Sequence, residues 1–168
     1  SNTNCKGNIR YESKGGIGIV TVETIAYKLL SNDEELNSLL DKLRGKKFGL
    51  GFKQGIFTYD IPERPTNALS KELAPFMRIY PTYENDVEFA DDKAISTEHR
   101  ITINYWCLNA KQSEQIAELM DKILESNGFD RYTTNELPRY RDNDIDLLVN
   151  VRKYRFFDWQ LEKLRNED

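Results

Sequence analysis

From His99 to Gly128 the chain changes period once. His99-Arg-Ile-Thr-Ile-Asn-Tyr-Trp-Cys107 alternates, with Ile101, Ile103, Tyr105 and Cys107 on one side and Arg100, Thr102, Asn104 and Trp106 on the other. A period of two predicts a strand with one buried and one wetter face. Beyond Asn109 the period lengthens, and Ile116, Leu119, Met120, Ile123 and Leu124 recur at helical spacing. Asn109 is the predicted cap, Gln112 sits at the capping-box position, and Asn127-Gly128 is the stop.

Helical spacing also appears upstream. Thr21 caps a predicted helix from Val22 to Leu30, with Ile25 and Leu29 on one face. Asn32, with Glu35 three residues on, caps a second helix carrying Leu36, Leu39, Leu40 and Leu43 and ending at Gly45; the two also read as one bent helix. Ile56-Phe-Thr-Tyr-Asp60 predicts a strand ended by Pro62 and Pro65, with a loop over 62–72. Phe76-Met-Arg-Ile-Tyr80 predicts another, with Phe76, Arg78 and Tyr80 opposite Met77 and Ile79. The acid-rich stretch 81–97, opened by Pro81, reads as a long exposed loop. Phe129 to Thr133 predicts a short strand and Asn135 to Asp144 a polar loop. Ile145, Leu147, Val149 and Val151 alternate; the apolar phase then moves to Tyr154 and Phe156, which predicts a bulge or a strand leaving the sheet.

These elements define an α+β fold, an antiparallel sheet of about four strands with helices packed mainly on one face. Residues 1–16 read as a flexible N-terminal arm and 17–157 as a single α+β domain. Residues 158–168 read as a charged tail, with Trp159, Leu161 and Leu164 on a short terminal helix. A chain of 168 residues has length for one core. Net charge is −4, from 24 basic and 28 acidic residues, so nothing calls for an obligate nucleic-acid partner. Cys5 and Cys107 are far apart, which leaves no disulfide framework and favours a reducing compartment. No apolar run approaches the roughly 18 residues of a membrane span, so a soluble protein used without export is expected.

Candidate chemistry is sparse. His99, the single histidine, reads as a surface residue opening a strand. Cys107 shares a face with Ile101 and Ile103, which predicts a buried, inert thiol. Gly49-Leu-Gly-Phe-Lys-Gln-Gly55 lacks the Gly-Lys-Ser/Thr ending of a phosphate loop and reads as a turn. Asp142, Asp144 and Asp146 open like a calcium loop, but Leu147 and Lys153 stand where glycine and glutamate are needed; with Asp91-Asp92 they read as solvated acids. No catalytic, cofactor-binding or metal-ligating residue is assigned, and no cofactor is expected.

Two surface patterns compete. Arg139-Tyr-Arg141 and Arg152-Lys-Tyr-Arg-Phe-Phe-Asp-Trp159 interleave cations with rings, as stacking platforms for bases do. The same residues suit a terminal strand whose rings fill a core while its cations face water. Trp106 points away from the Ile101 face, and Tyr154, Phe157 and Trp159 lie at or beyond the end of the last regular strand. Rings outside a satisfied core mark a protein interface. A helix from the Val22–Leu43 region covering the Trp106 face is the alternative.

The element order carries a resemblance. An amphipathic helix pair precedes the strand with its Pro62-Glu-Arg-Pro65 exit, then Pro75-Phe-Met-Arg-Ile-Tyr80, acidic Phe89-Ala-Asp-Asp-Lys93 and His99-Arg-Ile-Thr-Ile-Asn-Tyr-Trp106. The helix Gln112 to Asn127, Gly128-Phe129 and a strand ending Tyr154-Arg-Phe156 complete it. Over residues 22–157 this resembles the tail terminator or tail-completion (minor tail, neck) proteins of tailed phages and prophages of Gram-positive bacteria. The resemblance implies a non-enzymatic subunit forming a ring, usually a hexamer, that caps the tail tube and joins it to the head connector. The implied partners are other copies of the chain, the tail tube protein and a head-completion protein. No membrane is implied, and nucleic acid only as DNA passing through the ring lumen. The implied location is the virion tail or neck, and the host cytoplasm during assembly. Two other readings stand beside it: a nucleic-acid-binding module using Arg152–Trp159, and a small ferredoxin-like regulatory domain that binds a metabolite.

Overall fold

The structure is a computed structural model that describes residues 9–13, 16–49, 51–64, 66–90, 93–134 and 136–159; within these, side chains are described from Val20 onward apart from 87–95. Within the segment read as an arm, Ile9–Ser13 (β1) pairs antiparallel with Gly16–Val20 (β2), forming a two-stranded ribbon. Thr21 then accepts the Thr24 N–H at 3.3 Å and opens α1 (Val22–Asn32). The next cap falls one residue later than the spacing predicts. Asn32 is still helical, and Asp33, in extended backbone, accepts the Leu36 N–H at 2.8 Å to start α2 (Glu34–Arg44). The break between the helices is tied by the Asn37 side-chain amide, which donates to the carbonyls of Leu30, Ser31 and Asp33. Gly45, at φ +79°, ends α2 in the left-handed conformation that glycine adopts without a Cβ penalty.

The main sheet follows. Ile56–Thr58 (β3) leads through a 3₁₀ turn at Lys71–Leu73 to Phe76–Ala90 (β4) and Lys93–Cys107 (β5). After α3 (Ala110–Glu125) come Asp130–Tyr132 (β6), Arg139–Asp142 (β7) and Leu147–Phe157 (β8). Among the described residues the sheet has six strands in the order β3-β4-β5-β8-β6, with β7 also on β8. Only β3 and β4 run parallel; every other pair is antiparallel. The α+β architecture expected from the periodicity is therefore present, with more strands than about four.

The extra sheet comes from two stretches read as loops. Residues 81–90 and 93–97 continue β4 and β5 as one long antiparallel pair, from Phe76 opposite Trp106 to Ala90 opposite Lys93. Their acidity hid an alternation that bulges interrupt after Pro81 and near Glu88. Pro81 is tolerated because neighbouring odd residues aim their main-chain groups at β3: Met77 N–H reaches Gly55 and the Ile79 carbonyl accepts from Tyr59. At Pro81 β3 has already ended, so the missing N–H lies on an unpaired edge. Arg139–Asp142, inside the expected polar loop, pairs with β8.

The predicted bulge after Val151 is absent. Register between β5 and β8 is continuous from Glu98 opposite Phe157 to Cys107 opposite Leu148. The apolar phase moves because the two faces of β8 serve two cores. Toward the helices, Tyr154 and Phe156 join Met77, Ile79, Ile101, Ile103, Tyr105 and the stripes of all three helices. On the reverse face, Leu147 and Val149 join Phe76 and Trp106 under a lid of Phe48, Ile61, Ala68 and Leu73. The polar residues between, Asn150 and Arg152, are pinned to α3: the Ser113 hydroxyl donates to Asn150, and Arg152 pairs with Asp121.

The lid depends on one close approach. A Cβ on Gly55 would lie 2.9 Å from the Phe48 ring and 3.0 Å from the Arg44 guanidinium. Arg44 cannot yield, because it is buried, donates to the carbonyls of Leu73 and Pro75, and pairs with Asp41 at 3.0 Å. Gly55→Ala is expected to cost about 1–3 kcal/mol through overpacking, read by chemical denaturation. A neutral result would show that the lid is loosely packed.

Candidate interaction surface

The four rings singled out in the sequence divide in two. Trp106 is 8% exposed and stacks on Phe76 at 5.3 Å between centroids. It is covered by the chain between α2 and β4, not by a helix. Tyr154 is fully buried and its hydroxyl donates to Asp121 at 2.6 Å. Burial and that carboxylate push the Tyr154 phenol far above its ordinary value. Phe157 and Trp159 are the pair that reaches the surface, stacked at 6.1 Å with Trp159 46% exposed. The remainder of the charged tail, from residue 160, lies outside the described residues, as do Cys5 and Asp91-Asp92.

His99 corrects the surface reading. It is 2% exposed, because β5 begins at Lys93 rather than at His99. Its Nε2 lies 2.7 Å from Asp158 and its Nδ1 3.4 Å from Glu84, so the ring latches the exit of β8 to the β4–β5 pair. Burial alone would lower its pKa, but Asp158 and then Glu84 favour the cation and hold it above the ordinary 6.5. A raised folded value means that this stabilisation is complete below about 6.5 and is lost as pH rises through the folded pKa. Wild-type stability is expected to fall on that alkaline side, and His99→Gln to flatten the dependence, in denaturation curves taken at about pH 6 and about pH 9. Equal slopes for both chains would refute the latch.

The remaining chemical candidates are occupied by their neighbours. Cys107 is buried, its thiol pushed up by burial, and it accepts from the Asn150 amide at 3.3 Å. Gly49 and Gly51, both at positive φ, form a tight turn that sends Phe48 and Phe52 inward. The aspartates after β7 are held within the turn: Asp144 N–H donates to Asp142 at 3.1 Å, and Asp146 pairs with Lys71 and, at 3.0 Å, with Arg141. Lys71, then Arg141, lower the Asp146 pKa. Among the described residues no group of three or more His, Cys, Asp or Glu converges as a metal site. An open cleft of about 560 Å³ lies beside Trp106, with Asp60, Glu63, Arg64 and Arg78 around it. None of the residues lining it is a serine, cysteine or histidine.

The basic–aromatic strand also divides by face. Arg152 turns toward α3, where Asp121 holds it. Arg155 and Lys153 turn to the reverse face and meet partners that sequence spacing cannot show. The bulge after Pro81 places Tyr83 opposite Arg100, on the face that already carries Arg78 and Tyr80. The Arg100 guanidinium lies 4.2 Å from the Tyr83 ring and 5.2 Å from Tyr132, and Arg155 lies 5.6 Å from Tyr132. Both arginines lean on Glu98: Arg100 Nε donates to it at 3.0 Å, and Arg155 forms a looser ion pair with it at 3.9 Å. Glu98 is only 6% exposed, and bonding to it raises the Arg100 pKa. Four strands thus build a rigid row of alternating rings and guanidinium groups. Its sequence signal was the polar side of β5, but the partners on β4, β6 and β8 come from pairing alone.

No protein-family model matches this chain, and no curated protein matches it. Among solved structures the chain is similar to one chain of a virion of a native gene transfer agent (GTA) particle. The TM-score is 0.50 at 13% identity, covering 80% of this chain and 91% of that chain. At such identity the likeness is one of fold.

Proposed function

We propose that this chain is a structural protein of a phage, prophage or phage-like particle. Its role is that of a tail terminator or neck subunit, which forms a ring, caps the tail tube and joins it to the head connector. The observation that carries the reading is the likeness in fold to a virion chain, across nearly all of that chain's length. The surface supports it: an arginine–tyrosine row, an exposed Trp159 stacked on half-buried Phe157 and a long strand edge are the materials of protein docking. A subunit that ends a polymer must match the last tube ring on one face and refuse a further ring on the other. Heterologous contacts that close by rotation give such a cap. Its work is fit, with no bond made or broken.

The nucleic-acid reading loses ground to the ion pairs. Arg152 is spent on Asp121, Lys153 on Glu136 at 3.3 Å, and two arginines share Glu98, so few cations are left to neutralise phosphates. Disrupting the gene in the phage or prophage that carries it tests the proposal. Tails of uncontrolled length and heads left unjoined are expected by electron microscopy; normal, joined particles would overturn the reading.

A further inference from the structure

The row of Tyr83, Arg100, Tyr132 and Arg155 is built before any partner arrives. Two guanidinium groups share one nearly buried carboxylate, so the row carries a cationic surplus. Among the described residues, Arg100 Nε is its only nitrogen with a hydrogen-bonding partner, which leaves the planar fork of its terminal nitrogens open. The Arg155 side chain is 40% exposed and Tyr83 is 37% exposed. A stacked, preorganised guanidinium fork fits a carboxylate in two-point geometry and loses little entropy on docking.

The same chain holds the complementary surface. From Ile79 to Asp92 there is no lysine or arginine, and β4 carries Glu84, Asp86 and Glu88 in succession. Beyond Ile79, the outer edge of β4 has no strand beside it among the described residues, because β3 pairs only with Met77, Arg78 and Ile79. An unpaired edge offers main-chain groups as well as charge.

We propose that the arginine–tyrosine row of one copy docks the acidic outer edge of β4, at Asp86 and Glu88, of the next copy. Each subunit gives its edge to one neighbour and its row to the other, and the contact closes into the ring; this inference rests on the ring reading above. A short acidic edge is the favoured occupant over a nucleic-acid backbone. Lys153 is paired with Glu136, and two guanidinium groups against one carboxylate leave little positive charge, enough to pair with a carboxylate at two points but not to neutralise a line of phosphates.

The test uses two charge-reversed forms of the full chain, Arg100→Glu/Arg155→Glu and Asp86→Lys/Glu88→Lys, with light scattering after size-exclusion chromatography. Each alone is expected to self-associate at least about tenfold more weakly than wild type, and an equimolar mixture to regain association, because each reversed row then meets a reversed edge. Should the arginine reversal impair folding, Arg100→Lys/Arg155→Lys keeps the charge and removes the fork. It is then expected to weaken association while circular dichroism stays native. Wild-type association in every variant, or no rescue on mixing, overturns the docking while the ring reading stands. A wild type that stays monomeric at every concentration also overturns it, and the tail-length experiment then decides the ring reading separately. Salt-sensitive binding of an oligonucleotide that the arginine variants abolish would overturn it in favour of nucleic acid.

Discussion

Replacing Phe76 with alanine is expected to remove about 3–5 kcal/mol of stability, out of a total of about 5–15 for a domain of this kind. Phe76 is fully buried, stacks on Trp106 at 5.3 Å and meets the edge of Phe48 at 6.5 Å. Among the described residues it is the one β4 side chain in the reverse-face core, so it joins the sheet to the lid from Phe48 through Leu73. The cavity left by alanine cannot close easily, because Arg44 and Gly55 fix the lid on its far side. A denaturant midpoint shift reads the loss, and Phe76→Leu is expected to cost much less, roughly 1 kcal/mol. Trp106 supplies a local report. The chain has two tryptophans, so in a Trp159→Phe background its emission should move to the red as the lid loosens. A loss below about 1 kcal/mol with unmoved emission would mean that the second core contributes little.

That second core is also where sequence reading stopped. The helices were legible because each carries an apolar stripe and a side-chain cap, and β5 because it alternates without interruption beside α3. The lid has neither period. Phe48, Ile61, Ala68 and Leu73 arrive from turns and a 3₁₀ segment, and only the fold places them over Trp106. The outer halves of β4 and β5 are hidden in the sequence because an acid-rich stretch reads as an exposed loop. In a two-stranded extension, charge on both faces is compatible with pairing, since the backbone supplies the bonds.

The surface was legible by half. Trp159 is exposed, but Phe157 is half-buried as the last residue of β8, which runs on in register past the point where the alternation falters. Tyr154 and Trp106 are buried, because each face of β8 and of β5 serves a different core at a different end. The arginine–tyrosine row depends on Thr82 as the extra residue of a bulge, which shifts Tyr83 onto the face of Arg100. Its other members come from strands that are distant in sequence and adjacent only through pairing.

Asp121→Ala is the second large effect, about 3 kcal/mol or more, because it strands two partners at once. The Asp121 carboxylate receives Arg152 Nε at 2.8 Å, a further Arg152 nitrogen, and the Tyr154 hydroxyl at 2.6 Å. The Arg152 side chain is 13% exposed and Tyr154 is fully buried, so water cannot fully replace what is lost. Burial by itself would raise the Asp121 pKa, but Arg152 and Tyr154 outweigh it and hold the carboxylate below its ordinary 3.8. Its contribution is therefore complete above that value and disappears as pH falls through the depressed folded pKa. The gap between wild type and Asp121→Asn should accordingly narrow in acid. Replacing the whole cluster separates the cost of breaking it from its net worth. Asp121→Leu/Arg152→Met/Tyr154→Phe removes both charges and the hydroxyl that would otherwise lose its partner, while keeping much of the volume, and is expected to be far milder than Asp121→Ala alone. If the triple replacement were as damaging as the single one, the cluster would hold α3 on β8 by its own attraction, not merely by avoiding orphaned polar groups.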